Sequence, residues 1–202
     1  ESSPERARSD AQQRATGIGG GQCSRGGPST SAASRTVVTR AVLLAHRLGP
    51  SSEVVLVRGE HPGLHWGVGF GLPGATVHTS DALAPRTGRA GQAGSGPVAA
   101  LRGLFLSTGL LLADGAEDLD GAERQRLREA FAEDVAQGAA RFAELRLSWS
   151  TDRVDRLAVR RARGDALREE TQILGIALEA LEALQAGGAP VGDYLRRWTT
   201  GD

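Results

Sequence analysis

The sequence predicts an α/β fold, of the α+β kind in which strands and helices are not strictly interleaved. Two kinds of observation carry that expectation. A β-branched segment opens TVVTRAVLLAHRL at Thr36, and a second short run, Glu53 to Arg58, follows the turn Gly49-Pro50-Ser51-Ser52. Farther along, apolar residues recur at three- and four-residue spacing from Val98 to Gly109 and again from Gly121 to Leu147. Strands repeat every second residue and helices every 3.6, so neither class of element accounts for both patterns.

Composition bounds the rest. A chain of 202 residues and 21.1 kDa holds one sizeable core rather than two. The apolar fraction of 40% permits a globular domain, while 28 glycines and 4% aromatic residues point to long loops. The formal net charge is zero, which excludes whole-molecule steering toward nucleic acid or anionic lipid. Every one of the 24 basic residues is arginine, as a GC-rich coding sequence explains, and the absence of Met fits a processed or partial chain. Cys23 is the single cysteine, so an internal disulfide is excluded and a structural zinc site is poorly supplied. That usage fits a reducing compartment or an organelle matrix such as the mitochondrion. The apolar run LFLSTGLLLA, from Leu104, is about half the roughly 20 residues a membrane span needs.

Taken in order, residues 1–35 read as a disordered leader rich in Ser, Gly, Ala and Gln, with little to bury. A remnant of an organellar targeting sequence, an unstructured leader and a partner-wrapping tail are all compatible with it. The strands from Thr36 and Glu53 are expected to form a hairpin. His61-Pro62-Gly63-Leu64-His65-Trp66 then leads into Gly67-Val68-Gly69-Phe70-Gly71-Leu72-Pro73-Gly74, and residues 82–97 read as an inserted surface loop without a period. Leu101, Leu104, Phe105 and Thr108 form one stripe of a helix ending at Gly109, with Leu110-Leu111-Leu112 extended and buried after it. One long helix is expected over Gly121–Leu147, capped by Asp118 or Asp120 and weakened at Gly138 by about 1 kcal/mol relative to Ala. A further helix is expected from Asp165 to Gln185, stopped by Gly187-Gly188-Ala189-Pro190. In the tail, residues 187–202, a last helical turn docks Tyr194 and Trp198.

Two separated blocks resemble the signature of the Nudix hydrolase superfamily, in particular its branch of peroxisomal coenzyme A diphosphatases and their bacterial relatives. The first is Trp66 to Ala75 followed by Asp81, similar to the family loop built on Pro-Gly-Gly; here Pro73, Gly74 and Ala75 stand at those positions. The second is Ala99 to Leu110, similar to the family helix Arg-Glu-x-x-Glu-Glu-x-Gly. The resemblance covers residues from about Thr36 to about Val159. It implies a Nudix-like α/β/α sandwich with a mixed sheet over residues 36–186, the 82–97 loop being the branch's insertion.

In that family the helix holds Mg²⁺ or Mn²⁺ through carboxylates one turn apart, and the cations neutralise a diphosphate and activate water. Residue by residue, Arg102 matches the motif arginine and Thr108 and Gly109 the helix end. Gly103 stands where the first glutamate belongs, and Leu106 and Ser107 stand where the glutamate pair belongs. Leucine and glycine offer no side-chain donor, and a neutral hydroxyl replaces a carboxylate poorly around a hard cation. The expectation is a degenerate Nudix-like domain with no metal, no cofactor and no catalytic residue, serving as a structural or accessory subunit with protein partners. The alternative is a metal-dependent diphosphatase of nucleoside-diphosphate-linked or coenzyme A substrates, using Mg²⁺ or Mn²⁺.

Other groups carry weaker signals. Arg102, left without its glutamates, faces solvent, binds an anion or pairs with an acid outside the motif. Glu169 and Glu170 echo the motif but suit a solvent-facing helix, and Asp81, Asp114, Glu117, Asp118 and Asp120 are candidates to approach the old phosphate pocket. Phe70 and Phe105 read as core. Gly67, Gly69, Gly71 and Gly74 lack the Gly-Lys-Ser/Thr of a P-loop. His46, His61, His65 and His78 are not at ligand spacing, and Cys23 has no histidine partner. Arg153, Arg156, Arg160, Arg161 and Arg163 form a basic run able to meet RNA or an acidic protein surface, without aromatic residues to stack on bases. No alternating β segment is evident between Arg160 and Ala180, which implies either a shortened sheet with an open edge or strands without a recognisable pattern, with added C-terminal helices.

Overall fold

The structure, a computed structural model, describes residues 36–47, 52–58, 69–88, 94–163, 167–182 and 195–198. All of them fall in one compact unit, residues 35–202. The leader with Cys23, the 61–66 loop, Gly67, Val68 and Tyr194 lie outside the described residues.

The long first strand β1 (Thr36–Arg47) is the organising element. Ala41, Leu43 and Ala45 point into the main core while Val42 is buried on the opposite face, the period of two that a strand imposes. β1 turns back into β2 (Ser52–Val55), pairing His46 with Val54 and Arg47 with Glu53, which is the expected hairpin. The short strands β3 (Val57–Arg58) and β4 (Phe70–Gly71) pair with each other, and β5 (Gly74–Thr76) lies antiparallel to β1. The helix α1 (Thr79–Leu83) follows, and then α2 (Ser95–Thr108), which begins three residues before the expected start and ends at Gly109. Gly109 takes φ 78° and its N–H donates to the Phe105 carbonyl, closing the helix in the left-handed turn that glycine adopts without strain.

Four expectations are corrected. The stretch Gly121–Leu147 is not one helix but two, α3 (Gly121–Glu133) and α4 (Val135–Glu144), broken at an extended Asp134. Asp134 ends α3 and caps α4, accepting a hydrogen bond from the Ala136 amide. A Cβ on Gly138 would lie 2.2 Å from the Phe131 ring, so this glycine is where α4 packs against α3. In one straight helix residues 131 and 142 would stand about 16 Å apart along the axis; the break brings their rings to 6.3 Å. The Asp120 cap at the start of α3 is as expected, its carboxylate accepting from the Glu123 amide at 2.7 Å.

Second, the helix expected from Asp165 is a strand. After the small β6–β7 pair (Ala113–Asp114 with Ser148–Trp149), the chain forms β8 (Asp155–Arg163) and β9 (Leu167–Ala177), with only the short helix α5 (Leu178–Glu182) beyond. β9 runs parallel to β1 along eleven residue pairs and antiparallel to β8. Third, Leu195–Trp198 is not a helical turn but strand β10, antiparallel to β2. The sheet order is therefore β10-β2-β1-β9-β8, with β5 on β1, and the sheet is not shortened. Fourth, the 82–97 segment, expected as an inserted surface loop, is helical at its two ends, in α1 to Leu83 and in α2 from Ser95. Thr87 is tied to residues 149–152 through its amide to the Trp149 carbonyl and its hydroxyl to Asp152 at 2.7 Å, while the Trp149 amide donates to Pro85.

The core lies between the sheet and α2, α3 and α4. Phe142 stacks on Trp149 with ring centres 4.5 Å apart, and Phe131 meets Phe105 edge-on at 6.5 Å. Phe105, Phe142 and Trp149 are essentially fully buried, each such ring contributing about 1.5–3 kcal/mol or more. Phe105 is core, as expected, and Phe70 is half-buried in β4. Among the described residues no helix is long and apolar enough to cross a membrane.

Candidate functional site

The residues that carry the Nudix resemblance come together where α2 crosses β5. α2 is buried around most of its circumference, including Ala99, Ala100, Leu101, Arg102, Gly103, Leu104 and Phe105. The stripe read from Leu101, Leu104 and Phe105 is one face of a helix that is covered on the others as well. Such a helix is internal, with no broad solvent face on which to display ligands.

At the crossing, two glycine backbones touch. Gly74 is paired with Val42 of β1, and a Cβ on it would lie 2.4 Å from the Ala41 carbonyl oxygen. A Cβ on Gly103 would lie 2.2 Å from the Gly74 carbonyl carbon and 2.5 Å from its Cα. Both clashes are with backbone, which cannot rotate away as a side chain can. Gly103 is therefore more than a position that lacks a carboxylate. The helix sits so close to the Pro73-Gly74-Ala75 loop that no side chain at all has room there.

Arg102, next along α2, points to α1. Its Nε donates to Asp81 Oδ1 at 2.9 Å and its Nη2 to Asp81 Oδ2 at 2.9 Å and to the Thr76 carbonyl at 2.8 Å. Both side chains are nearly fully buried, at 4% and 3% exposure. A forked, two-point pair of this kind is the geometry in which a buried charge is best compensated. Asp81 also accepts from the His78 amide at 2.7 Å, so it closes the first turn of α1 while holding the arginine. Of the fates open to Arg102 in the sequence, the structure shows pairing with an acid outside the helix motif.

The other two glutamate positions lie at the last turn of α2. Leu106 is half-buried against the core, and its carbonyl accepts from both Nε (2.9 Å) and Nη2 (2.5 Å) of Arg128 on α3. Nothing in the sequence marks this arginine, because its partner is a backbone atom and not a complementary side chain. The Ser107 hydroxyl donates to the Gly103 carbonyl at 2.8 Å, turned back along its own helix. The Thr108 hydroxyl donates to Leu104 and accepts from the Leu110 amide, which fastens the helix end to the extended, buried Leu110–Leu112.

The remaining acids do not gather at α2. Glu169 and Glu170 lie on β9 rather than on a helix, paired with Arg40 at 3.0 Å and Arg161 at 3.1 Å. Asp114 accepts from the Ser150 hydroxyl, Asp120 caps α3, and Glu117 and Asp118 are exposed on a single 3-10 turn. Among the described residues no three His, Cys, Asp or Glu side chains are grouped to hold a metal ion. The Mg²⁺ or Mn²⁺ that the resemblance implies does not fit this donor set, which offers a glycine without space, a packed leucine and a serine turned onto its own helix. The basic run is elsewhere: Arg156, Arg160, Arg161 and Arg163 are on β8 and Arg153 on the 3-10 turn before it.

No family model matches the chain, and no curated protein matches it by sequence. Among solved structures it is similar to a NUDIX hydrolase from Alicyclobacillus acidocaldarius, with a TM-score of 0.52 and 17% identity over 72% of this chain and 71% of that one. Identity at that level speaks for architecture and not for chemistry. Mixed sheet, crossing helix and this likeness together give the conclusion that the chain has a Nudix-like α/β/α fold.

Proposed function

We propose that this is a Nudix-like domain without metal-dependent hydrolysis, serving as a structural or accessory subunit that works through protein contacts. The observation that carries this reading is the Gly103–Gly74 crossing. A metal-binding helix of this kind must project carboxylates into a space that can also admit a diphosphate. Here the first of those positions is closed by backbone contact, and the arginine beside it gives three N–H groups to Asp81 and Thr76. Arg102 on this reading braces α2 against α1 and β5 and does not bind an anion.

The experiment is a turnover assay of the purified chain with Mg²⁺ or Mn²⁺ against nucleoside diphosphate-linked compounds and coenzyme A derivatives. The expected result is release of product no faster than without protein. Metal-dependent turnover that disappears when Asp114, Glu117 or Asp118 is changed to Asn or Gln would overturn the reading in favour of a diphosphatase.

A further inference from the structure

We propose that β8 is a docking edge for an acidic extended segment of another protein, which adds to the sheet as a further strand. This names the surface for the accessory role proposed above and rests on that reading.

β8 ends the sheet: among the described residues it pairs with β9 alone. A strand in that position presents a row of unpaired amides and carbonyls to whatever can lie beside it. Every residue from Asp155 to Ala162 is exposed, so neither face of β8 is covered by a helix. Leu157 and Val159 are large apolar side chains that stand out in solvent, at 49% and 37% exposure. The bulge between Arg156 and Ala158 falls at Leu157, whose side chain lies over Gly175 of β9. The strand thus offers backbone hydrogen bonds, apolar contacts and charge together.

Charge selects the occupant. Arg156, Arg160, Arg161 and Arg163 against Asp155 give β8 a formal charge of +3. Arg161 is met by Glu170, but Arg153, Arg156 and Arg160 make no ion pair among the described residues. A second copy of the chain would set +3 against +3 in any antiparallel register, and like charges across a pair of strands are destabilising. The leader is no better matched, since Arg6, Arg8, Arg14, Arg25 and Arg35 outnumber Glu1, Glu5 and Asp10. Every other segment outside the described residues carries a formal charge between −1 and +1. RNA would use the same arginines, yet neither β8 nor β9 carries an aromatic residue beside them to stack on a base. An acidic strand satisfies the backbone edge and the arginines at once, as strand addition does in peptide recognition.

The test uses the full chain and a fluorescent peptide as long as β8, made of alternating glutamate and valine. Fluorescence anisotropy should show binding that weakens with salt and falls about tenfold or more in the double variant Arg156→Glu/Arg160→Glu. That variant should unfold at nearly the same urea concentration as the parent, since both side chains are exposed and unpaired. Amide hydrogen exchange should slow across β8 on binding. The proposal is overturned by no binding, by equal binding of a proline-interrupted acidic peptide, which carries the charge but cannot form a strand, by tighter binding of a single-stranded RNA, or by dimerisation of the free chain through β8. None of these results alters the outcome of the turnover assay, so failure of this inference and failure of the inactive-domain reading are told apart.

Discussion

The crossing of α2 over β5 and the outer edge of β8 are opposite in almost every physical respect. At the crossing, backbone touches backbone, the ion pair is forked and buried, and the hydroxyls of Ser107 and Thr108 bond to their own helix. At the edge, each residue from Asp155 to Ala162 is exposed, and Arg156 and Arg160 make no ion pair among the described residues. The resemblance to a hydrolase family directs attention to the first region, yet its Arg102, Ser107 and Thr108 side chains already bond to partners within the fold. What a fold needs for itself it satisfies internally; groups it leaves unsatisfied are the ones available for work outside. By that measure the sheet edge that we propose as a docking surface has more to offer a partner than the buried helix α2.

The contrast is broken most forcefully at Arg102. Replacing it with Ala strands the Asp81 carboxylate in the core, and removing one partner of a buried pair costs about 3–5 kcal/mol. Urea denaturation should show that loss as a lower midpoint at unchanged slope. The double variant Arg102→Met/Asp81→Leu removes both charges and should recover most of the loss. If Arg102→Ala were instead neutral in stability, the guanidinium would be free for another use and its bracing role would be wrong.

Next in size is Gly103→Ala. One methyl group placed 2.2 Å from the Gly74 backbone forces α2 away from β5, and overpacking without a soft neighbour costs about 3 kcal/mol. Exposed-site glycine-to-alanine changes in helices are ordinarily stabilising, so the sign itself is diagnostic. A stable, well-folded Gly103→Ala protein would mean that a carboxylate could be accommodated there, and lack of space would no longer bar metal chemistry. The crossing and the edge would then differ in degree rather than in kind.

The hairpin, the α2 stop at Gly109, the Asp120 cap and the buried Leu110–Leu112 are legible in the sequence because each is set locally. β8 and β9 are not, and the reason lies in particular residues. Leu167-Arg168-Glu169-Glu170 and Ile173-Leu174 are spaced as a helix would space them, and glutamate, arginine and leucine favour helix in isolation. What makes this segment a strand is β1, beside which it pairs from Thr36↔Leu167 to His46↔Ala177, a partner more than a hundred residues away. β8 fails the alternation test for a different reason: with both faces exposed it has no buried side to mark. At the site, the missing carboxylates are plain in the sequence, but the space available to Gly103 is not. Residue type reports which donor is absent, whereas only the approach of two backbones reports that none can return.

A third region tests the comparison from between its extremes. At the end of β1, Arg47 gathers Glu53 of β2 and Glu179 and Glu182 of α5, at 2.8, 2.8 and 2.5 Å. Glu53 is buried like Asp81, whereas Arg47, Glu179 and Glu182 stand partly in water. Glu179 is held below the ordinary carboxylate range, first by a hydrogen bond from its own backbone amide and then by the Arg47 guanidinium, which is itself raised by Glu179 and Glu182. A carboxylate whose pKa is lower in the folded state contributes stability above its unfolded value and loses it as pH falls through the folded one. Acidification should therefore begin to remove the Glu179 contribution as pH falls to the ordinary carboxylate range and complete the loss below it. The Glu179→Gln variant should show a shallower loss on that acid limb and little change near neutrality. Salt should shrink the difference, because pairs this exposed are screened, while leaving the Arg102 effect almost untouched. An acid limb identical in parent and Glu179→Gln would show that the Arg47–Glu179 contact adds nothing to stability, in contrast to the buried Arg102–Asp81 pair.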